Sequence, residues 1–204
     1  MLGKMNISLI KQKLLGDLSS QMRAWIALVS LFLFCLVLLR TAWIEDEANF
    51  TVRTVLNWID GYGPVFNVGE RVQAYAHPLW FLVLTLFTLI TNNVFFSLFF
   101  LSIGLSLISV WILIRYISTS VAGCLIAVTA LLFSLAFIDY SSSGLENPLS
   151  HLLILLSTYY AFLFSKNPSS KPLFLFAIVT ALLLLTRQDL ILCVIPLVAL
   201  IVFM

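Results

Sequence analysis

The chain has 204 residues, of which 62% are hydrophobic and 10% are charged, and its mean hydropathy is +1.10. One small core cannot hide that much apolar surface, so the composition excludes a soluble globular domain and predicts a membrane protein. The formal net charge of +2 comes from scattered basic residues, which is not the pattern of a nucleic-acid-binding surface.

The first 23 residues are basic and precede an apolar run over 24–39 that has no small-residue cleavage site behind it. This pattern predicts an uncleaved signal anchor whose segment 1–23 stays in the cytoplasm, while the polar loop 45–77 emerges on the opposite side. Residues 24–204 are then expected to form one all-α, polytopic transmembrane module.

The polar loop 45–77 has local structure of its own. Residues 46–58 show helical spacing, with acids at the start where the helix dipole favours them and with glycines beyond the end. The stretch 65–72 predicts two short extended pieces around an Asn-Val-Gly-Glu turn, in which Gly69 supplies the unusual backbone angle. Pro78 is expected to open the next helix.

The apolar run 78–90 gives about 20 Å of helix, which is short of a hydrocarbon core of about 30 Å, and predicts a re-entrant or interfacial helix. If it does not cross, three later basic residues fall on the cytoplasmic side, as the positive-inside rule requires; if it crosses, all three lie outside. Those residues are Arg115, Lys166 and Lys171. The first arrangement is favoured, with spans at about 94–114, 121–138, 149–164, 173–186 and 190–204.

This topology places ionisable residues from three separate loops on one membrane face. Convergence of this kind is typical of a polar cavity at the membrane surface, suited to a substrate with an anionic head and a lipid tail. The residues concerned are Asp46, Glu47, Glu70, Glu146 and the cluster Arg187-Gln188-Asp189.

Three motifs in chain order carry a family resemblance. The first covers 46–53, 61–72 and 75–80; the second is Ser-Gly-Leu-Glu-Asn at 143–147, similar to a Ser-Gly-Leu-Glu-Thr motif; the third is Thr-Arg-Gln-Asp at 186–189. The chain resembles the GT-C fold polytopic membrane glycosyltransferases of the arabinofuranosyltransferase-like family. The resemblance implies that 24–204 is a GT-C-like amino-terminal module with a structured extracytoplasmic first loop.

The resemblance further implies a polyprenyl-phosphate-linked sugar donor, a glycan or lipid acceptor, membrane lipid as surroundings, and a bacterial inner (plasma) membrane location with an extracytoplasmic active face. The acidic pair of the family's first loop corresponds to Asp46 and Glu47, one of which would be the general base for the acceptor hydroxyl. Arg53 and Arg187 are the natural phosphate partners, because a guanidinium offers a fork of donors.

Further residues are expected to contact substrate, and each also has a plainer interpretation. Acids such as Asp46 and Glu146 also mark helix starts, Arg187 and Asp189 also form structural pairs at helix ends, and tryptophans also occupy the membrane interface. No cofactor is indicated; a divalent cation would need Asp46 with Glu47 or Glu146, brought together by the fold. The expected substrate-binding residues are Arg53, Glu70, Arg71, His77, Trp80, Glu146, Arg187 and Asp189.

Two departures from the family pattern leave alternatives open. The chain has Asp46-Glu47 where the family commonly has Asp-Asp, and Gln188-Asp189-Leu190 in place of Pro-Glu-Gly. Family members continue through further spans. This chain is therefore expected to be a truncated member, or one part of an enzyme whose remainder is encoded downstream. The alternative functions are a catalytically inactive membrane remnant or partner subunit, and a transporter of lipid-linked substrates, for which no internal repeat is visible.

Overall fold

The computed structural model describes residues 20–70, 72–118 and 120–203. These residues form helices joined by loops and contain no β-strand, so the predicted all-α fold is confirmed. Numbered in chain order, the helices are α1 Ser20–Arg40, α2 Ala48–Ile59, α3 Pro78–Thr91, α4 Val94–Ile112 with a π-helical turn Leu113–Ile117, α5 Val121–Leu132, α6 Leu135–Tyr140, α7 Asn147–Lys166, α8 Ser170–Thr186, a 3-10 turn Gln188–Leu190, and α9 Ile191–Val202.

Two of the described helices, Val94–Ile117 and Asn147–Lys166, are long and apolar enough to cross a membrane. Less than half of the apolar window of each is buried against protein. Large apolar side chains also stand on the outer surfaces of other helices, such as Trp25 at 68% exposure and Ile126 at 69%. A water-facing surface of this kind would be unfavourable, whereas a bilayer accommodates it.

The buried apolar side chains form two clusters that share α4. One cluster joins α4 to α2, α3, α7, α8 and α9, and includes Leu98 and Leu101. The other joins the end of α4 and its π-helical turn to α1, α5 and α6, and includes Val110 and Ile114. Helix α4 is therefore the central element on which both halves of the bundle pack.

Helices α3 and α4 both contact Gly144 in the second polar loop. Near the start of α3, the Trp80 indole Nε1 donates to the carbonyl oxygen of Gly144 at 3.2 Å. Near the start of α4, Leu98 packs closely on Gly144: a Cβ atom added to Gly144 would lie 2.6 Å from Leu98 Cδ2. Both helices thus begin at one end of the bundle, which we call the site end. At the opposite, far end, Tyr116 contacts Tyr159 in the second half of α7, with ring centroids 5.8 Å apart.

Two consecutive asparagines make the reversal between α3 and α4. Asn92 ends α3 in the left-handed conformation with φ +54°, which asparagine tolerates better than most residues. Asn93 is the N-cap of α4, and its side-chain oxygen accepts a hydrogen bond from the backbone N–H of Phe96 at 2.9 Å. The chain therefore passes from α3, a 14-residue helix of about 21 Å, into α4 through these two residues alone.

The structure refines the expectations for two segments. In place of one helix over 121–138 there are two, because the Ser134 hydroxyl oxygen accepts from the N–H of Phe137 and starts a new helix after α5 has ended. In the first loop, the turn is confirmed: the N–H of Glu70 donates to the Asn67 carbonyl oxygen at 3.2 Å, and Gly69 has φ +91°. The described residues flanking that turn are bends instead of strands.

Candidate functional site

A cavity of about 1090 Å³ opens at the site end, where three polar segments of the chain meet. The first loop and the start of α3 provide one wall, the start of α7 a second, and the end of α8 a third. Apolar and aromatic side chains complete the lining. Its charged and polar wall residues include Glu45, Glu47, His77, Glu146, Asn147 and Arg187.

Glu146 lies at the junction of these three segments. It is only 4% exposed, and its two carboxylate oxygens face two different basic side chains. Oε2 lies 3.5 Å from Nε2 of His77, and Oε1 lies 3.6 Å from Nη1 of Arg187. A carboxylate buried in this way requires such partners, because an isolated buried charge is strongly disfavoured.

The orientation of His77 follows from a backbone contact. Its Nδ1 lies 2.8 Å from the carbonyl oxygen of Thr186. A carbonyl oxygen only accepts, so Nδ1 carries a proton and donates it, which leaves Nε2 facing Glu146. Nε2 lies within 3.5 Å of Oε2 of Glu146, so the imidazole bridges a backbone carbonyl of α8 and a carboxylate at the start of α7. His77 thereby ties the start of α3 to α7 and α8.

Arg187 is held by acceptors on two sides. Nε donates to Oδ1 of Asp189 at 3.1 Å and Nη2 donates to Oδ2 at 2.7 Å, a bidentate pair, while Nη1 donates to Oδ1 of Asn147 at 3.2 Å. The hydrogen bond to Asp189 raises the pKa of Arg187, and the same bond lowers the pKa of Asp189. The structure thus gives Arg187 a carboxylate partner.

The two acids proposed as the catalytic pair face different cavities. Glu47 lines the large cavity together with Phe50 and Thr51. Asp46 lines a second, shallower cavity of about 570 Å³, together with Phe50 and Arg53. In an α-helix, successive residues point about 100° apart around the axis, whereas residues three, four or seven positions apart share a face. The predicted shared face of Asp46, Phe50 and Arg53 is the wall of this second cavity.

Arg53 and Glu70 are linked to each other through Asn67, outside the large cavity. Nη2 of Arg53 donates to Oδ1 of Asn67 at 2.8 Å, and Nδ2 of Asn67 donates to Oε2 of Glu70 at 3.0 Å. The guanidinium of Arg53 also stands 4.5 Å above the ring of Phe66. Arg71, the remaining expected residue of this loop, lies outside the described residues.

Trp80 takes a supporting position and lines neither cavity. It is 1% exposed and packs within the core of the bundle. Its indole N–H has found an acceptor in the carbonyl oxygen of Gly144, as buried tryptophans usually do. The side chain therefore holds the second polar loop against α3 and is not free to stack on a sugar.

Two wall residues were missed by the sequence-based selection. Glu45 places one carboxylate oxygen, Oε2, in a buried position without a hydrogen-bond partner among the described residues, and its backbone N–H donates to the carbonyl oxygen of Ser143 at 3.0 Å. Asn147 orients Arg187. The run of three acids was a signal for Glu45, and adjacency to Glu146 was a weak signal for Asn147. Within the described ranges, no group of three His, Cys, Asp or Glu residues is arranged to hold a metal ion.

Fold and site together define an all-α membrane protein with a polar cavity at one end of its helices. Over 50 residues, 24% of this chain, the sequence is 46% identical to the terminal beta-(1->2)-arabinofuranosyltransferase of Corynebacterium glutamicum. Over 38 residues, 19% of the chain, it is 50% identical to the protein of the same name from Mycobacterium tuberculosis. The matched segments span only 7% and 6% of those relatives. No family model and no solved structure matches.

Proposed function

We propose that this chain forms the catalytic cavity of a membrane glycosyltransferase that transfers a sugar, arabinofuranose, from a polyprenyl-phosphate donor to a glycan or lipid acceptor. Similarity to two proteins named arabinofuranosyltransferases supports the reaction class. The observation that carries the proposal is the meeting of Glu47, Glu146 and Arg187, from three polar segments, in one cavity at the site end.

Glu47 is proposed as the general base. It is exposed, lines the large cavity, and lies directly before α2 as its N-cap residue. The acceptor hydroxyl oxygen would form a bond to the anomeric carbon of the donor sugar while the bond from that carbon to the phosphate oxygen breaks. The hydroxyl proton passes to the Glu47 carboxylate, and the polyprenyl phosphate leaves with the bonding electron pair.

His77, Glu146 and Arg187 are proposed to shape the cavity instead of reacting. Glu146 is almost fully buried, and both of its oxygens already face basic groups of the protein. A buried carboxylate with a basic group beside each oxygen fixes geometry, because moving either base away leaves its negative charge less compensated. These three side chains therefore keep the starts of α3 and α7 and the end of α8 at fixed separations around the substrate.

The cavity is proposed to face the extracytoplasmic side of a bacterial plasma membrane. Arg115 lies in the π-helical turn at the far end of α4, and Lys166 is the last residue of α7. Lys171, in the first turn of α8, belongs to the same far end. Basic residues at the far end favour a cytoplasmic location for it, which puts the site end outside.

The test is a transfer assay with membranes that contain the chain. Radiolabelled polyprenyl-phosphate arabinofuranose is supplied with a neutral arabinan acceptor, and labelled product is measured. We expect Glu47→Gln to lower turnover by about 10²- to 10⁴-fold, because the base is lost while size is kept. Asp139→Asn is the matched control: this acid is exposed and lines neither cavity.

The assay tests both the reaction itself and the role given to Glu47. No transfer by the unmodified chain would overturn the proposal as a whole. Full turnover of Glu47→Gln together with loss in Asp46→Asn would move the base to the second cavity and overturn the role given to Glu47. Protein amounts in the membrane are measured alongside, so that loss of turnover is separated from loss of protein.

A further inference from the structure

The two ends of the bundle differ in the sign of their charges. Every Asp and Glu of the described residues belongs to the first loop, to the second loop with the helix before it, or to the end of α8. Three basic residues, all exposed, lie at the far end: Arg115, Lys166 and Lys171. The described part of the far end therefore carries net positive charge.

An aromatic cluster at the far end depends on the π-helical turn of α4. The backbone N–H of Ser118 donates to the carbonyl oxygen of Leu113 at 2.9 Å, five residues back. Residues five positions apart approach one face in a turn of this kind, whereas in an α-helix they diverge. Trp111 and Tyr116 accordingly meet edge to face with ring centroids 5.5 Å apart, and Tyr116 meets Tyr159 of α7 at 5.8 Å. The turn thus groups rings from α4 and α7.

Basic side chains flank these rings. The Arg115 guanidinium lies 5.6 Å from the centroid of the Tyr116 ring, within the range of cation–π attraction. Lys166 follows Tyr159 by seven positions, so it lies on the same face of α7 and about 10 Å nearer the helix end. Trp111 and Tyr116 are 40% and 49% exposed. These five residues form an aromatic and cationic surface, which we call the far-end patch.

The far-end patch lies where the two membrane-length helices end. Arg115 belongs to the π-helical turn that ends one of them, and Lys166 is the last residue of the other. A helix that just spans the hydrocarbon core emerges at the level of the lipid headgroups, where Trp and Tyr are enriched. Guanidinium, ammonium and phenol groups at that depth are donors, and lipid phosphates are acceptors.

We infer that the far-end patch binds the headgroups of anionic phospholipids. Phosphatidylglycerol carries a net negative charge, whereas the amine of phosphatidylcholine offsets its phosphate. Such an amine would gain from a carboxylate beside the patch, and the acids of the described residues all lie in other segments. Each Lys or Arg near a membrane surface favours anionic lipid by about fivefold. Binding of this kind requires neither the reaction proposed above nor a particular leaflet.

The experiment measures lipid binding to the purified full chain in detergent by fluorescence quenching. Phosphatidylglycerol and phosphatidylcholine, each brominated in its acyl chains, are titrated separately. The signal of Trp111 is the difference between the unmodified chain and Trp111→Phe. We expect phosphatidylglycerol to quench Trp111 with an affinity at least roughly fivefold higher. Arg115→Gln should reduce this preference by about fivefold, whereas Arg115→Lys, which keeps the charge, should retain most of it.

Arg40→Gln is the matched control, because Arg40 is an exposed basic residue at the opposite end, where α1 stops. This change should leave the lipid preference at Trp111 unaltered. Thermal unfolding provides a second measurement that does not need the Trp111→Phe variant. Phosphatidylglycerol should raise the unfolding temperature of the unmodified chain more than phosphatidylcholine does, and the difference should shrink in Arg115→Gln.

Equal quenching of Trp111 by the two lipids, or equal thermal shifts, would overturn the inference. A preference that survives in Arg115→Gln and disappears in Arg40→Gln would overturn its location at the far-end patch. Inorganic phosphate at the concentration of the lipid should displace nothing; displacement would replace the lipid by a free anion. The transfer assay is a separate measurement, so its failure would leave a measured preference for anionic lipid intact.

Discussion

Two polar segments meet at the site end, and they differ sharply in burial. In the second loop, between α6 and α7, Ser141, Ser142 and Ser143 are 0% exposed. In the first loop, between α1 and α3, Val68 is 60% exposed and Glu47 is open to the large cavity. The two loops, both polar in sequence, therefore differ in role: the second loop is buried framework, and the first loop presents Glu47 to the large cavity.

The buried loop also sets the position of the exposed one. The carbonyl oxygen of Ser143 accepts from the N–H of Glu45, and that of Gly144 accepts from the Trp80 indole. These contacts lie before and after α2 in the chain, so the second loop fixes both ends of the first. Buried backbone carbonyls need such donors, which makes the arrangement costly to disturb.

The largest contrast between the loops is expected in chemical accessibility. Cysteines placed at Val68 and at Ser142 lie at the same end of the bundle, yet only the first is exposed. In intact cells an impermeant thiol reagent should modify Val68→Cys at least roughly 100-fold faster, because Ser142→Cys reacts only through local opening. Mass-tag gel shifts measure the rates. Comparable rates would contradict the buried framework.

The same experiment includes a variant at the far end. Ser169→Cys lies next to α8 on the side of Lys166 and Lys171 and is exposed to solvent. With the proposed orientation it should be protected in intact cells and react after the membrane is permeabilised. Modification of Ser169→Cys in intact cells would reverse the orientation.

The next largest effect concerns Gly144, which has φ +84° and would place a Cβ 3.1 Å from Ala48 Cβ as well as against Leu98. Gly144→Ala should lower the free energy of unfolding by about 2–4 kcal/mol, through backbone strain and overpacking together. Gly61→Ala is the matched control, since Gly61 has φ +88° but open space around it. It should cost only about 1–2 kcal/mol. Thermal unfolding in detergent, followed by tryptophan fluorescence, compares them; equal losses would argue against tight packing at Gly144.

A smaller effect is expected from the hydrogen bond between the buried loop and α3. Trp80→Phe removes the donor to the Gly144 carbonyl and leaves that buried acceptor unpaired, at a cost of about 1–3 kcal/mol. Trp58→Phe serves as control: Trp58 is 38% exposed and stacks on Phe81 with ring centroids 5.0 Å apart. Denaturant titration should show a larger loss for Trp80→Phe, and the reverse order would contradict the role given to its indole.

The smallest effect is a pH dependence at the exposed edge of the site. The hydrogen bond from Arg187 lowers the pKa of Asp189, so the pair stabilises the fold at pH values above the ordinary aspartate pKa of about 4. That contribution is lost as the pH falls through the lowered pKa. It should amount to at most about 1 kcal/mol, because the Asp189 side chain is 60% exposed and water screens the pair. Asp189→Asn should flatten this part of the stability profile between pH 2 and 5, measured against Asp139→Asn.

Much of the framework follows from the sequence because it depends on local rules. Apolar length and periodicity predict helices, Pro78 opens α3, and Gly69 marks the turn in the first loop. The run over 78–90 forms a single helix, α3, of 14 residues, and whether it enters the membrane without crossing stays a prediction. Each of these signals lies within a few residues of its consequence.

The positions of individual site residues are harder to predict from the sequence, because they depend on how each helix is rotated about its axis and on which side chains become buried. A difference of one position separates Glu47 in the large cavity from Asp46 in the second, and only the docking of α2 decides which face each acid takes. The burial of Trp80 and the Asp189 partner of Arg187 depend on contacts between segments far apart in the chain. Composition and spacing carry no information about such distances.

The contact between His77 and Thr186 has a consequence for biosynthesis. The hydrogen bond joins residues 109 positions apart, and ribosomes add about 5–20 residues per second. The first loop is therefore synthesised about 5 to 22 s before the helix end that anchors it exists. During that interval His77 lacks its partner at Thr186, so the wall that the end of α8 provides is the last part of the large cavity to be completed.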